Sequence, residues 1–288
     1  METFDAFLFH AGFCVHPEFS VIRGGRRAAR EFPAMVLVLR HPRHGVILVD
    51  TGYAPRFFEV TRHLPWKLYA LLTPVTIPEG DSAVSTLARV GIAPAEVTTI
   101  IVTHFHADHI GGLRDFPAAR FIWLDAAWRG VESLTGLAAL RAGFLRGLLP
   151  DDFAARSRAI PSAALAPLAE LDGLFSGADV FGDGSMKLVA LPGHAVGMAG
   201  VLFTTSTGRR IFHVVDAVWL KRSLDENRPP PWFAGLVMDD ARAFRDTFAR
   251  LRTLQAAQPD LTLLITHCFE SHVALPGIDT AGPASPSH

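Results

Sequence analysis

The chain has 288 residues, 49% of them hydrophobic, and a formal net charge of −1 at pH 7. This composition can fill a large buried core, and the lack of a basic excess argues against a nucleic-acid partner. Two cysteines are too few for a disulfide framework. The sequence contains no apolar run long enough to span a membrane and no basic signal-peptide region. We therefore expect a cytoplasmic protein without a membrane partner.

The first fifty residues predict β-structure. The segment 4–9 is typical of a first strand, which is expected to end at residues 10–12. Two apolar runs follow, at 35–40 and 46–50, and the glycine-containing connection between them suits a hairpin. The second run ends at Asp50, in the sequence D-T-G.

Residues 53–78 are rich in Phe, Trp, Tyr and Leu but lack the alternation of a strand, and Pro65, Pro74 and Pro78 interrupt them. We interpret this stretch as core helix, with an apolar wall over a binding site as the alternative. After it, Asp81 and Ser82 are typical of a helix N-cap and Gly91 of a helix stop.

The densest group of metal-ligand residue types follows a β-branched run at 99–102 that is typical of a buried strand. The sequence THFHADHIGG comes directly after this run. Side chains two residues apart in an extended or tightly turned backbone point the same way, so His104 and His106 can converge on one ion. Asp108 and His109 follow at the turn and can face a second ion about 3.5–4 Å from the first. A histidine-rich surface turn is the alternative, and the preceding strand and following glycines favour the metal site.

The second half of the chain predicts helices followed by strands. A strand at 121–124 precedes a helical excursion at about 125–149, for which core packing, a dimer face and a substrate lid remain open. From residue 179 the period changes to that of strands, and a hairpin runs from 200 to Asp216.

The C-terminal part predicts one long helix and one strand. Asp239 and Asp240 open a helix with an apolar stripe. The apolar run at 261–267 predicts a last buried strand. A tail over 276–288 is rich in Pro, Ser, Ala and Gly and is expected to be loose. We therefore expect a single domain over 1–275.

The sequence THFHADHIGG resembles the signature of the metallo-β-lactamase superfamily, in which the pattern H-x-H-x-D-H is followed by a distant His, Asp and His. Within the superfamily, the layout is most similar to that of the N-acyl-homoserine lactonases. The resemblance covers nearly the whole chain and implies an α/β protein with a four-layer αββα sandwich. It implies a metal-dependent hydrolase without defining the substrate, because the superfamily hydrolyses many unrelated compounds.

The resemblance also implies the remote metal ligands, each at the end of a predicted strand. His194 lies in the sequence P-G-H, Asp216 in V-V-D-A, and His267 ends the last strand. The implied ligands are His104, His106 and His194 for one metal, Asp108, His109 and His267 for the other, and Asp216 as the bridge. In the resembled family the Asp of D-T-G supports the metal-binding histidines. Asp50 fits this role, since a ligating imidazole holds its tautomer by donating its other N–H.

Two residues near these ligands are left out of the set. His213 lies inside the strand that precedes Asp216 and has no necessary geometric relation to the metals. Cys268 follows His267 directly and is expected to be a small buried residue rather than a ligand.

This ligand set predicts the chemistry. Imidazole and carboxylate groups favour two zinc ions, with iron or manganese tolerated. Seven ligands leave open coordination positions, which indicates a catalytic site. Two cations lower the pKa of a bound water toward about 7, so that hydroxide is available for hydrolysis at neutral pH. Asp108 borders this hydroxide and is the candidate catalytic residue that shuttles a proton to the leaving group. The sequence has no G-x-S-x-G elbow, and we expect no covalent intermediate.

The predicted substrate is a small-molecule lactone or ester with an apolar substituent. The apolar stretches 64–77 and 134–149 are candidates to line a cleft, and a near-zero net charge suits an uncharged ester. One residue departs from the lactonases, which carry Tyr three residues past the bridging Asp to hydrogen-bond the lactone carbonyl. Here that position is Trp219, a candidate substrate-binding residue that can donate only through its indole N–H.

Other functions remain open at this point. A phosphodiester, sulfate or thioester is the alternative hydrolase substrate. A redox member of the same fold is a second alternative, but the flavodiiron branch carries Glu where this chain has His106, and it carries a flavin domain for which this chain has no room. A non-catalytic metal-binding member is a third, and such members usually lose ligands that this chain retains. The sequence also leaves a homodimer open.

Overall fold

The computed structural model describes residues 3–273 and 278–280. The described residues contain fourteen strands. In chain order these are β1 (Asp5–Pro17), β2 (Ala29–His41), β3 (Gly45–Val49), β4 (Val75–Thr76), β5 (Val97–Ile101), β6 (Arg120–Leu124), β7 (Ser157–Ile160), β8 (Ala166–Pro167), β9 (Ser176–Asp179), β10 (Met186–Ala190), β11 (Ala199–Thr204), β12 (Arg210–Val215), β13 (Thr262–Ile265) and β14 (Ile278–Thr280).

The described residues also contain nine α-helices, most of them short. They are α1 (Arg56–Val60), α2 (Lys67–Leu72), α3 (Ala83–Arg89), α4 (Ala107–Ile110), α5 (Asp125–Val131), α6 (Gly136–Arg141), α7 (Lys221–Asp225), α8 (Ala241–Ala257) and α9 (Phe269–Val273). Short 3₁₀ turns lie at Glu18–Ser20, Pro94–Glu96, Leu113–Asp115, Arg146–Leu148, Ser162–Ala164, Ala169–Leu171 and Trp232–Val237. None of the helices in the described chain combines the length and the apolarity that crossing a membrane requires.

The strands form two mixed sheets. The first has the order β14-β1-β2-β3-β5-β6-β7, with β4 paired to β1, and the second has the order β13-β12-β11-β10-β9-β8. In the first sheet β3, β5, β6 and β7 run parallel. In the second, β10 and β12 are both antiparallel to β11, and β13 is parallel to β12. Because β10, β12 and β13 run the same way, their carboxyl ends lie at one edge of the second sheet.

Strand β2 shows why the apolar runs are continuous rather than alternating. Its residues Met35 and Leu37 belong to the core between the sheets, which also contains Leu188 and Val201 of the second sheet. The alternate residue Val36 belongs to a second, larger core. Successive side chains of a strand point to opposite faces, so a strand buried on both faces is apolar at nearly every position.

The larger core lies on the outer faces of the sheets. It joins alternate strand residues to buried side chains of the helices, among them Phe57 of α1, Leu87 of α3 and Leu251 of α8. The layers are therefore helix, sheet, sheet and helix. This architecture confirms the four-layer αββα sandwich that the sequence predicts.

The first strand is longer than predicted. It does not end at residues 10–12 but continues to Pro17, and its register with β2 shifts between His10 and Phe13. Gly12 lies in this shift with a φ of 76°. The glycine therefore marks a β-bulge within the strand, and not its end.

The interpretation of 53–78 as core helix is wrong for most of the stretch. Helix α2 contains no fully buried residue, and Leu64, Leu71 and Leu72 are 65–74% exposed. Only Phe57 of α1 is fully buried within these two helices. The prolines divide the stretch into pieces too short to bury a continuous face.

Part of the predicted loose tail is ordered as a strand. Strand β14 pairs in parallel with β1, with Ala6 opposite Ile278. The expectation of a loose tail over 276–288 is therefore wrong at 278–280, and its other positions lie outside the described residues. This strand forms by backbone pairing with the edge of β1. The amino-acid composition of the segment alone does not predict such pairing.

Candidate metal centre

The candidate ligands lie just beyond the carboxyl ends of four strands. Strand β5 leads to His104, β10 to His194, β12 to Asp216 and β13 to His267. The loop after β5 turns at once into the single helical turn α4, which carries Asp108 and His109. The strand directions described above bring these four loops to one edge of the sandwich.

A local distortion precedes Asp216. The register between β12 and β13 shifts between His213 and Val215, and Val215 adopts a left-handed conformation with a φ of 52°. This conformation is strained for a β-branched residue. It redirects the chain so that the Asp216 carboxylate, 2% exposed, lies among the histidines.

The first group of converging side chains comprises His104, His106, His194 and Asp216, whose ligand atoms all lie within 4.8 Å of one another. His194 Nε2 lies 3.0 Å from His106 Nδ1 and 3.2 Å from Asp216 Oδ2. His104 Nε2 lies 3.9 Å from the same Asp216 oxygen. These nitrogens and this oxygen surround a space of the size that one cation occupies.

The second group comprises Asp108, His109, Asp216 and His267, whose ligand atoms also lie within 4.8 Å of one another. Asp216 Oδ2 lies 3.1 Å from His267 Nε2 and 3.6 Å from His109 Nε2. Asp108 Oδ2 lies 3.4 Å from His267 Nε2 and 3.6 Å from His109 Nε2. Asp216 belongs to both groups, and the structure brings all seven candidate ligands together.

The hydrogen bonding of these groups tests whether cations fit. His104 Nε2, His109 Nε2 and Asp216 Oδ1 are buried and have no hydrogen-bond partner among the described residues. Buried polar atoms in folded proteins are nearly always paired, and imidazole nitrogens with carboxylate oxygens are the ligands that zinc prefers. The residues present therefore fit bound cations.

Asp50 holds the ring of His109. Its Oδ2 accepts a hydrogen bond from His109 Nδ1 at 2.7 Å and another from the Thr103 hydroxyl at 2.7 Å, while its Oδ1 accepts the Thr103 N–H at 2.9 Å. A proton on Nδ1 leaves Nε2 of His109 as the lone-pair nitrogen that faces Asp216.

His267 is held in the same way by a residue that sequence reasoning missed. Its Nδ1 donates to the backbone carbonyl of Pro33 at 2.8 Å, so its Nε2 faces the carboxylates. Pro33 lies in β2, which is remote from His267 in sequence. A backbone carbonyl carries no residue-type signal, so no sequence pattern indicates this contact.

Burial keeps two imidazoles of the first group, those of His104 and His106, neutral. Burial, with the charges of neighbouring imidazoles, lowers the pKa of His104 far below its usual value and that of His106 to about 3. Burial alone would raise the pKa of Asp216, but the facing His267, His109 and His194 hold it well below the usual range. Neutral imidazoles and an ionised carboxylate are the forms that bind metal.

Both tyrosines of the chain lie beside Asp108 and were missed by sequence reasoning. Burial and the negative charge of Asp108 raise the pKa of Tyr53 and of Tyr69 well above the usual value. Both phenols therefore stay protonated at neutral pH. The aromatic content of 53–78 was the signal, but it did not indicate which ring reaches the site.

Three other residues complete the surroundings. The ring of Trp219 meets that of His194 edge to face, with centroids 5.6 Å apart. His213 instead pairs with Thr266, its Nε2 lying 3.1 Å from Oγ1. Burial raises the pKa of the Cys268 thiol to about 11, and neither His213 nor Cys268 belongs to the two groups within the described residues.

Comparisons with known proteins show the family of the chain. A family model of the metallo-beta-lactamase superfamily matches residues 29–257. The chain is 28% identical to a probable metallo-hydrolase of Mycobacterium tuberculosis over 77% of this chain and 71% of the relative. It is 26% identical to the N-acyl homoserine lactonase AttM of Azorhizobium caulinodans, over 80% of each chain.

The chain therefore belongs to the metallo-β-lactamase superfamily, and it is a metal-dependent hydrolase. A solved structure with the same fold is an N-acyl homoserine lactone hydrolase with the product N-hexanoyl-L-homoserine bound at its catalytic metal centre. The two superpose with a TM-score of 0.73 at 18% identity, covering 96% of this chain and 98% of that one. At this identity the likeness shows the fold alone.

Proposed function

We propose that this protein is a dinuclear, zinc-dependent hydrolase of lactones or esters that carry an apolar substituent. One observation carries the proposal, namely the two four-residue ligand groups that share Asp216. A carboxylate common to two such groups is the arrangement expected of a bridging ligand. Nitrogen and oxygen ligands suit zinc, with iron or manganese tolerated.

The proposed reaction is hydrolysis without a covalent intermediate. Bound divalent cations would supply Lewis acidity and lower the pKa of water toward about 7. His104, His106 and His194 would hold one cation, and Asp108, His109 and His267 the other. Asp50 and the Pro33 carbonyl orient two of these imidazoles before any substrate arrives, so little reorganisation is needed during the reaction.

Asp108 is the proposed proton carrier. Its side chain retains 11% exposure against 3% for Asp216, so it is the more accessible of the two carboxylates at the centre. A carboxylate in that place can take a proton from water and deliver it to the leaving oxygen. The phenols of Tyr53 and Tyr69, which interact with the Asp108 charge, stay protonated and add no negative charge to its surroundings.

A cavity beside the ligands supports a small-molecule ester or lactone, because the apolar part of its lining suits an apolar substituent. It has a volume of about 350 Å³ and includes His106 and His194 in its lining. Residues of the stretch 134–149 contribute to its wall, as expected, whereas none of the residues 64–77 lines this cavity. The related N-acyl homoserine lactonase AttM supports the same class of substrate.

A panel of substrates on zinc-loaded protein tests the proposal. It compares acyl-homoserine lactones of several chain lengths with simple aryl esters, a phosphodiester, a thioester and a β-lactam. We expect the highest kcat/KM on a lactone or ester, and a drop of two orders of magnitude or more in Asp108→Asn. Phosphodiester turnover well above that of every lactone and ester would contradict the proposed substrate class. The cytoplasmic location and a homodimer stay predictions that this panel does not address.

A further inference from the structure

The cavity beside His106 and His194 has a lining that is not uniformly apolar. Its walls come from α5, α6 and the loop before α8, and they carry both apolar and charged side chains. The apolar members are mainly Phe105, Val131, Leu134, Ala138, Val196 and Met238. Two charged residues, Arg141 and Asp239, also line it. An apolar wall with a few placed polar groups is the usual form of a small-molecule site, in which the polar groups provide specificity.

Arg141 offers an unused cation to this cavity. It is the last residue of α6, and within the described chain its guanidinium forms no ion pair or hydrogen bond. By contrast Arg129, on the preceding helix, is paired with Asp125 at 2.6 Å. A guanidinium that is free of protein partners and faces a cavity is available for a carboxylate of the ligand, which it can bind through two parallel hydrogen bonds.

The backbone that carries Arg141 lies close to the metal ligands. Two residues after it, Gly143 packs so closely on the ring of His106 that a Cβ would lie 2.5 Å from Cδ2. Gly143 also has a φ of 64°, which favours glycine. The end of α6 therefore packs on a candidate metal ligand, which places the backbone of Arg141 near the metal centre.

Asp239 lies in another wall of the same cavity. Its backbone N–H donates to the carbonyl of His194 at 3.1 Å, so this wall is also tied to the ligand loop. No ion pair joins Asp239 to Arg141 in the part of the chain that the structure describes. The two opposite charges remain separate, and Asp239 opposes an anion that binds to Arg141.

We propose that Arg141 makes this site selective for substrates whose apolar acyl chain ends in a carboxylate. The ester or lactone carbonyl would lie at the His106 and His194 end, and the carboxylate would lie at Arg141. The inference rests on the proposed hydrolase function but adds a charge preference to it. Arg141 is exposed, so beside a neutral acyl chain its cation stays hydrated, whereas a terminal carboxylate can form a charge-assisted pair with it next to apolar walls.

Binding of unreactive probes tests the charge preference directly. Isothermal titration calorimetry on the zinc-loaded protein measures the affinity of the monoamides of succinic, adipic and suberic acids. The neutral counterparts are butanamide, hexanamide and octanamide. We expect at least one carboxylate probe to bind about tenfold or more tightly than its neutral counterpart. Arg141→Gln should remove this ratio, and Asp239→Asn should raise it severalfold. Arg27→Gln, at an exposed arginine outside the cavity, should leave it unchanged.

Hydrolysis of matched esters separates the inference from the function on which it rests. The 4-nitrophenyl ester of hexanoic acid is compared with the mono-4-nitrophenyl ester of adipic acid in wild type and Arg141→Gln. A wild-type preference in kcat/KM for the adipate ester that disappears in the variant supports the inference. A carboxylate preference that persists in Arg141→Gln, in either binding or hydrolysis, overturns it, since the carboxylate would then bind elsewhere. Failure to hydrolyse either ester counts against the proposed function, and the binding ratios still decide the role of Arg141.

Discussion

At the scale of single residues, the candidate metal centre is organised by groups that are not ligands themselves. Asp50 and Thr103 fix the tautomer of His109, and the Pro33 carbonyl fixes that of His267. Such outer contacts set both the orientation and the basicity of a metal-binding imidazole. Asp50 itself adopts a left-handed conformation with a φ of 60°, which Asn tolerates better than most residues do.

Because Asn tolerates this conformation, Asp50→Asn tests the hydrogen bond between Asp50 and His109 without straining the backbone. The variant should fold, because Asn suits the backbone and can still accept from Thr103. Its amide cannot replace a carboxylate as the acceptor for a charged or polarised His109. We expect zinc affinity at the His109 group to fall about 10- to 100-fold, measured by competition with a chromogenic chelator. Asp225→Asn, at a half-exposed ion pair with Lys221, is the matched control, and equal affinities in the two variants would contradict the role of Asp50.

Gly143 gives a second test at this scale. Gly143→Ala would place a Cβ 2.5 Å from the His106 ring, so the ring must move or the loop must shift. Gly173→Ala is a matched control, because Gly173 has a similar φ of 69° and no atom within 4 Å of its Cβ position. Both variants carry left-handed strain of about 1–2 kcal/mol. Only Gly143→Ala should lower metal occupancy and kcat, and equal losses in both variants would show that strain alone is responsible.

At the scale of elements, the helix caps were predictable from sequence. Ser82 caps α3 by accepting the Ser85 N–H, and Asp240 caps α8 by accepting from Arg242 and Ala243. These signals are local, so the sequence carries them fully. The ligand loop after β5 was predictable for the same reason, since its residues are contiguous.

Other elements could not be predicted because they depend on contacts between segments that are distant in sequence. The bulge at Gly12 depends on pairing with β2, and the position of β14 depends on the edge of β1. Leu64, Leu71 and Leu72 follow a helical apolar pattern yet remain exposed, which composition does not reveal. The contacts of Pro33, Tyr69 and Gly143 with the site likewise arise only when distant segments meet.

Helix α9 is joined to β1 by a buried histidine pair that predicts a pH dependence of stability. His10 Nε2 lies 2.8 Å from His272 Nδ1, and His272 Nε2 donates to the Ile265 carbonyl at 2.6 Å. Burial lowers the pKa of His10 to about 4 and that of His272 to about 3, from an ordinary value of 6.5. The unfolded chain therefore binds more protons than the folded one below pH 6.5.

It follows that this pair contributes its full stability above pH 6.5 and loses it as the pH falls toward 4 and then 3. The free energy of unfolding should drop by up to about 1.4 kcal/mol per pH unit for each group. Urea titrations at pH 7 and pH 5 measure the drop in wild type and in the double variant His10→Gln, His272→Gln. We expect the free energy of unfolding to drop less in the double variant than in wild type. In His63→Gln, at an exposed histidine, it should drop as much as in wild type. A drop of the same size in the double variant would contradict the account.

At the scale of the whole molecule, the two sheets position the ligand-bearing loops at one edge of the sandwich. Strands β10, β12 and β13 run the same way and deliver His194, Asp216 and His267 to the place where the loop after β5 delivers the others. No single segment holds more than part of either ligand group. The resemblance of the motif to a known superfamily made the distant ligands predictable, whereas periodicity alone did not.

The central claim is that two metal ions bind at this edge of the sandwich and share Asp216 as a ligand. Elemental analysis of the purified protein, after incubation with excess zinc and removal of loosely bound ions, tests it most directly. We predict close to two zinc ions per chain in wild type and close to one in Asp216→Asn, with the fold intact by circular dichroism. A wild-type content of one ion or none, unchanged by the resupply of metal, would contradict the account.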